Sequence, residues 1–423
     1  MKVLHINSTS HTGGAARAMQ RLHDSLIDKH HESQFLVGRS RFPDNPEINI
    51  IWDEIIPFRS IQNSVLSRIG NQFEKYLGIN SWANRPAKYL AGADIYQWAD
   101  IIDLRNLFGG FFNLWSLPDL TRRKPVVWRL PDMWALTGHC AYPYDCDRWK
   151  SGCYQCPLLR KDGRKRVEPK PTVLDGTRRV WKAKRKIYNH SQLHIVVNST
   201  WMKKQVEESI LGEALSLNVI SNGVNLEIYR PIDQILARKS LDLPLEGNIL
   251  LWGASEKDNF RKGFHIAAEA IDNLQEIYSE TPILITMGGG EDKNISKRVQ
   301  NQIDFGFVRD PERQALIYSA ADVFLCTTLA DAQPQTALES LACGTPIITF
   351  AIGPMPDIVH EGKEGFIATD VTSQALSEAI IDFYNRRDLI PELRDNCRKK
   401  AEHLYDQDKQ SDQYVDLYEQ IIS

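Results

Sequence analysis

One stretch restricts the fold more than any other, the run from Asp322 to Phe350. Asp322-Val-Phe-Leu-Cys326 and Pro346-Ile-Ile-Thr-Phe350 are short apolar runs bounded by turn residues, the pattern of buried strands. Between them Pro334 suits the first turn of a helix, where its missing N–H costs nothing. Ala337, Leu338, Leu341 and Ala342 recur on one helical face, and Gly344 supplies the stop. Strand, loop, helix and strand in this order predict one unit of a parallel sheet. Such sheets take ligands at the carboxyl ends of their strands, where Asp331 to Gln335 fall.

Two acids mark this unit, Asp331 in the loop and Glu339 eight positions on in the helix. An equivalent helical span is about 12 Å, whereas a glycosidase pair holds its carboxyls about 5–9 Å apart. The spacing allows such a pair but better suits a ligand with a hydroxyl-bearing group at each end. A nucleotide sugar is one, with its pyrophosphate between. The helix start at Gln335 and Thr336 would offer that pyrophosphate free N–H groups.

A chain of 423 residues exceeds one ordinary core and predicts two domains. With 42% hydrophobic and 25% charged residues it reads as a soluble globular protein, and a net charge of −3 says little about partners. Met1-Lys2 leads straight into a strand without an apolar leader. No run approaches the roughly 18 apolar residues of a membrane span. A cytoplasmic location is expected, with most of the seven cysteines reduced.

Val3 to Ile6 reads as the first strand, and Gly13-Gly14 opens a helix with Met19, Leu22 and Leu26 inward. A glycine pair there permits either a tight turn or close approach to an anion. Gln34–Gly38, Asp94–Tyr96, Asp100–Leu104 and Pro125–Arg129 are further strand material, while residues 53–90 resist assignment. The aromatics around Phe111-Phe112 read as core, or as a wall for an acceptor or membrane surface. Leu193–Ser199 and Leu217–Asn225 lead to an Asn222-Gly223 turn that marks the domain boundary. In the second half Asn248–Gly253 is a strand, Arg261-Lys262-Gly263 precedes a helix, and Pro282–Gly290 is a strand running into three glycines. Helices near Gln374–Asn385 and Lys399–Ile422 close the chain.

Cys140, Cys146, Cys153 and Cys156 lie within seventeen residues. The last pair has zinc-ligand spacing and the first is wider than usual. Structural zinc, redox-labile disulfides and plain buried thiols all fit. A catalytic metal fits less well, because four thiolates leave no open position. From Arg160 to Lys186 twelve cations face only Asp162, Glu168 and Asp175. Such a tract is either a solvated face or a surface for anionic lipid headgroups. No nucleic-acid partner is expected, since no recognition motif accompanies the charge.

Asp331-(x7)-Glu339 within Leu338-Glu-Ser-Leu-Ala-Cys-Gly-Thr-Pro346 resembles the E-x7-E motif of the retaining glycosyltransferase family 4. The resemblance is close from Asn222 to Phe366 and looser before it. It implies an α/β chain of GT-B architecture, two Rossmann-like domains facing across a cleft. The N-terminal domain would span 1–221 with a Cys-rich insert at 139–160, and the nucleotide-sugar domain 222–400. A helix at 401–423 would return to the first domain.

In that family the second Glu binds the donor ribose and the first acid contacts the sugar near its reacting carbon. Those roles fall here to Glu339 and to Asp331, one methylene shorter than usual. Lys262 corresponds to the lysine on the donor pyrophosphate. The arginine that usually precedes it by about five residues is missing, and Arg261 would compensate. Gly13 and Gly14 would lie beneath the donor phosphates and Gly288 in the nucleotide-side loop, with base contacts from backbone near Gly306.

The family's usual His after the fifth strand is replaced by Pro131. Asp132 remains, and either His139 supplies the contact or the role is dispensable. Polysaccharide-biosynthesis members carry a similar cysteine insert. No Asp-x-Asp motif lies between Asn222 and Phe366, where the resemblance is close, so no catalytic metal is expected. The resemblance implies transfer from a nucleoside-diphosphate sugar to a glycan or lipid-linked hydroxyl, and the basic tract allows a peripheral contact with an anionic inner membrane surface. The rivals are a nucleotide-sugar epimerase on the same fold and a non-catalytic carbohydrate or membrane-surface module.

Overall fold

The computed structural model describes residues 1–10, 13–39, 48–50, 90–107, 111–159, 174–277, 282–290 and 301–423. Most of the unassigned aromatic-rich stretch 53–90 and the first half of the basic tract lie outside them. Contacts divide the chain into two units: the first ends at Ile220 and takes in Gln410–Ser423, and the second runs Ser221–Lys409.

The first unit holds β1 (Lys2–Thr9), β2 (Glu32–Arg39), β3 (Ile48–Ile50), β4 (Ile101–Leu104), β5 (Val126–Arg129), β6 (His194–Val197) and β7 (Ser216–Val219). They form one parallel sheet in the order β3-β2-β1-β4-β5-β6-β7. Alternation across the pleat sends Leu4, Ile6, Ile102, Leu104, Val126 and Trp128 to the larger core. Val3, Ile101, Val127 and Val196 face the other side, where they meet Leu22 and Leu26 of the first helix and Tyr414, Leu417 and Tyr418 of the last. Both faces are covered, as an all-parallel sheet requires. Phe111 and Phe112 are buried, which gives them to the core.

The second unit holds β8 (Ile249–Glu256), β9 (Ile283–Gly289), β10 (Gln302–Asp304), β11 (Val323–Cys326), β12 (Ile347–Phe350) and β13 (Gly365–Ala368). Its parallel order is β10-β9-β8-β11-β12-β13. Ile249 and Leu251 of β8 enter one core layer, Leu250 and Trp252 the other. In each sheet the strand order reverses direction once, at β1/β4 and at β8/β11. The carboxyl ends beside such a switch point are where open α/β sheets bind ligands.

Two expectations change. Asp94–Trp98 is a short helix, not a strand: Asp94 sits in its first turn, where an acid is favourable, and neighbouring Ile95 and Tyr96 are both buried. The C-terminal stretch is two helices, Ile390–Leu404 and Gln407–Ile422. The break occurs because Val224 donates its N–H to the Tyr405 carbonyl (2.7 Å) and accepts from Gln407 N–H (3.1 Å). This local bridge takes over backbone groups that one continuous helix would have used.

Candidate functional site

The β8/β11 switch point gathers the charged residues that the sequence singled out. After β8 the chain makes a tight turn, Phe260–Lys262, capped by the Asn259 side chain on the Arg261 N–H. Gly263 then turns left-handed at φ 71°, and a Cβ there would stand 2.0 Å from the Thr327 carbonyl. No side chain fits, so glycine is required. The turn is laced to the exit of β11: Leu329 N–H donates to the Arg261 carbonyl at 2.8 Å, and the Thr327 hydroxyl donates to the Lys262 carbonyl at 3.0 Å. Trp252 Nε1 donates to that same hydroxyl at 2.9 Å.

The lacing delivers two cations to one acid. Asp331 Oδ2 accepts from Arg261 Nη1 at 2.9 Å and from Lys262 Nζ at 2.7 Å, while Oδ1 accepts from the Ala332 N–H at 3.0 Å. The side chains of Arg261, Lys262 and Asp331 are 14%, 19% and 12% exposed, so the cluster is enclosed but open to a ligand. Burial pushes the Asp331 carboxyl up, yet the charges of Lys262 and Arg261 outweigh it and bring it to about 2. Burial lowers Lys262, against the pull of Asp331.

The helix Gln335–Ala342 begins just after this loop, and its buried face carries Ala337, Leu338, Leu341 and Ala342 as expected. Glu339 is also buried, and its Oε2 accepts from the Tyr318 hydroxyl at 3.2 Å. Gln335 and Thr336 are half-buried at the helix start. The Gln335 amide donates to the Gly223 carbonyl at 3.1 Å, which ties the helix start to the Asn222–Gly223 turn. Gln333 does the same, accepting the Asn222 N–H at 2.7 Å. Gly288, at φ 145°, would put a Cβ 2.2 Å from the Ala254 carbonyl, and its N–H donates to Gly306 at 2.7 Å. Tyr318, Gln333 and Thr327 escaped the sequence reading because each acts through a partner distant in the chain. Only a known strand order could have revealed them.

The remaining candidates belong to the first unit. Gly13 and Gly14 open the helix Gly13–Asp28 after β1. Asp132 caps a single turn, accepting the Trp134 N–H at 2.8 Å. His139 is buried in the wall of a pocket that Cys140, Cys146, Cys153 and Cys156 also line. All four thiols are free. Burial raises Cys153 to about 11, against the Gly138 N–H that its sulfur accepts at 3.1 Å and the nearby Lys184 charge. Among the described residues no group of three His, Cys, Asp or Glu is placed to hold a metal ion. Cys140, Cys146, Cys153 and Cys156 share the lining of that one pocket.

On the helix Thr177–Tyr188 the basic tract divides. Arg178, Arg179, Lys182, Arg185 and Lys186 are exposed. Lys184 is instead a core residue: it donates to the carbonyls of Trp134 and Thr137, and its ammonium lies 3.8 Å from the Trp134 ring centroid. No helix among the described residues is long and apolar enough to cross a membrane.

A family model described as glycosyl transferases group 1 matches residues 237–404. This segment belongs to that family. The group 1 segment contains Arg261, Lys262, Gly288, Asp331, Gln335, Thr336 and Glu339, the whole cluster built above. A D-inositol 3-phosphate glycosyltransferase of Corynebacterium urealyticum is 26% identical over 239 residues, 53% of this chain and 56% of its own length. The chain thus spans about half the length of that relative.

Sucrose-phosphate synthase from Thermosynechococcus elongatus superposes with a TM-score of 0.67 at 17% identity, over 99% of this chain and 98% of that one. Anabaena HepE, solved in complex with UDP, does so with 0.68 at 15% identity, over 99% and 100%. At such identities the likeness is one of fold. The group 1 segment and the sheet that precedes it make up a GT-B chain of two Rossmann-like domains.

Proposed function

We propose that the protein transfers a glycosyl group from a nucleoside-diphosphate sugar to an acceptor hydroxyl, with retention, as a family 4 glycosyltransferase. The observation that carries this reading is the enclosed Arg261–Lys262–Asp331 cluster at the switch point, one loop away from the buried Glu339. Two cations beside a helix start suit a pyrophosphate, and the acids on either side suit hydroxyl-bearing groups. In the reaction the bond from the anomeric carbon to the phosphate oxygen breaks. The acceptor oxygen bonds to that carbon on the same face, and its proton passes to the departing phosphate. Lys262 and Arg261 stabilise the charge that grows there.

Transfer is favoured over epimerisation because the relative just described is named a glycosyltransferase. A glycan or lipid-linked acceptor at the inner membrane surface is part of the proposal, supported by the exposed basic face of Thr177–Tyr188. A resident metal has no part in the proposed steps.

The test is a thermal-shift panel of UDP-, GDP-, ADP- and TDP-sugars with Glu339→Ala alongside. A ligand at 100 times its Kd adds about 2.7 kcal/mol of stability. One nucleotide should shift the wild-type protein and fail to shift the variant. A shift that persists undiminished in Glu339→Ala would remove the group 1 segment from the donor site.

A further inference from the structure

If Lys262 and Arg261 hold the donor pyrophosphate, the Asp331 carboxylate already takes the place of a phosphate oxygen on both cations. One of its oxygens, Oδ2, takes both cations, at 2.9 Å from Arg261 and 2.7 Å from Lys262. Two positive charges against one negative leave the cluster with a net charge of about +1 at neutral pH. It therefore still attracts an anion, and its 12–19% exposure lets one reach it.

The turn that carries the cations is fixed. Gly263 is pressed against the Thr327 carbonyl, and the carbonyls of Arg261 and Lys262 are both tied to the β11 exit. The backbone on that side cannot withdraw to make room, so accommodation falls to the side chains. Among the described residues, Asp331 is the one acid within ion-pair distance of Lys262.

We propose that Asp331 is a resident counter-anion, and that donor binding is an anion exchange. The pyrophosphate takes Lys262 and Arg261, and the displaced Asp331 is released toward the sugar. This inference rests on the donor-site reading above and adds a consequence that reading does not contain. If Asp331 competes with the donor for the cations, its charge weakens binding of any pyrophosphate. If Asp331 instead props the cations in place for the donor, its charge strengthens binding. The two alternatives differ in sign.

Exchange also separates two functions of one residue. Binding of the leaving group would improve when the acid is neutralised, while transfer would fail for want of the acid at the sugar. A purely structural ion pair predicts no improvement in binding.

The experiment is calorimetric titration of the full chain with inorganic pyrophosphate, the anion common to all candidate donors, for wild type, Asp331→Asn and Lys262→Ala. Exchange predicts roughly tenfold tighter pyrophosphate binding in Asp331→Asn, since the closed pair no longer has to open first. Unchanged or weaker binding overturns it. Lys262→Ala should weaken pyrophosphate binding. If it does not, the donor-site reading itself fails, a result distinct from failure of the exchange alone. A crystal structure of the wild-type protein with pyrophosphate needs no variant. Lys262 Nζ should have left Asp331 for a phosphate oxygen, and retention of the 2.7 Å contact with ligand bound would refute the exchange.

Discussion

Each sheet places an aspartate and two basic partners at its switch point, and the two clusters differ in what covers them. In the first sheet Asp103 of β4 lies opposite His5 of β1 in the strand register. Its Oδ2 is 2.5 Å from both His5 Nδ1 and Arg105 Nε, with Asp103 and His5 0% exposed and Arg105 2%. Arg105 lies 4.9 Å from the ring centroid of Tyr414 on the C-terminal helix. In the second sheet the acid stands just past β11, and its neighbourhood stays open.

Burial pushes the Asp103 carboxyl up, but Arg105 and His5 outweigh it and hold the acid ionised. An ionised acid only accepts, so His5 Nδ1 must carry the proton. Burial lowers the His5 pKa against the pull of Asp103, which keeps the ring neutral. An acid with basic partners is thus a sealed strut in one sheet and an accessible cluster in the other. Access separates the two, and so does charge, with one cation on Asp103 and two on Asp331.

The largest expected effect tests the strut. Asp103→Ala leaves the Arg105 guanidinium buried without its counter-charge, and breaking such a pair costs about 3–5 kcal/mol. Chemical denaturation should show that loss, with exchange of the C-terminal helix amides rising alongside it. A loss under about 1 kcal/mol would mean that the cluster is hydrated and that the contrast between the two sheets is false.

A smaller effect tests the open cluster by pH. The Asp331 carboxyl is held at about 2 in the folded protein, below its ordinary 3.8. A depressed folded value means stability that is present above the unfolded value and lost as pH falls from about 4 toward about 2. The shift is worth about 2 kcal/mol at neutral pH. Acid titration of unfolding should therefore show a steeper loss between pH 4 and pH 2 in wild type than in Asp331→Asn. Parallel curves would mean that solvent screens the pair.

The open cluster was largely legible in the sequence, and the sealed one was not. Asp331, Glu339 and Lys262 lie in short segments whose glycines, prolines and apolar spacing announce strand ends and helix starts. His5, Asp103 and Arg105 are scattered over a hundred positions, inside or just past runs that read only as strand. Their meeting depends on β1 pairing with β4, a register that no local pattern encodes. Lys184 misled for a related reason. In a tract of exposed cations, the one that turns inward is identified by its helix phase against Val180, Trp181 and Ile187, not by its type. The break at Tyr405 was invisible because its cause, Val224, is far away in the chain.

Glu339 sharpens the comparison from a third side, since it is buried like the strut yet is the residue proposed above for the donor ribose. Its Oε2 accepts from Tyr318, itself fully buried on the helix Pro311–Ala320. Tyr318 is thus a neutral donor to the Glu339 carboxylate, where Asp103 faces the Arg105 cation. Tyr318→Phe removes that donor without a change of shape, at a cost of about 1 kcal/mol in the ligand-free protein. If Tyr318 positions Glu339 for ribose, the variant should also raise KM for the nucleotide sugar severalfold with little change in kcat. A nucleotide lacking the 2′ and 3′ hydroxyls should bind both proteins alike. If stability falls but KM does not move, the tyrosine serves the core alone, and Glu339 belongs with Asp103 on the sealed side of the comparison.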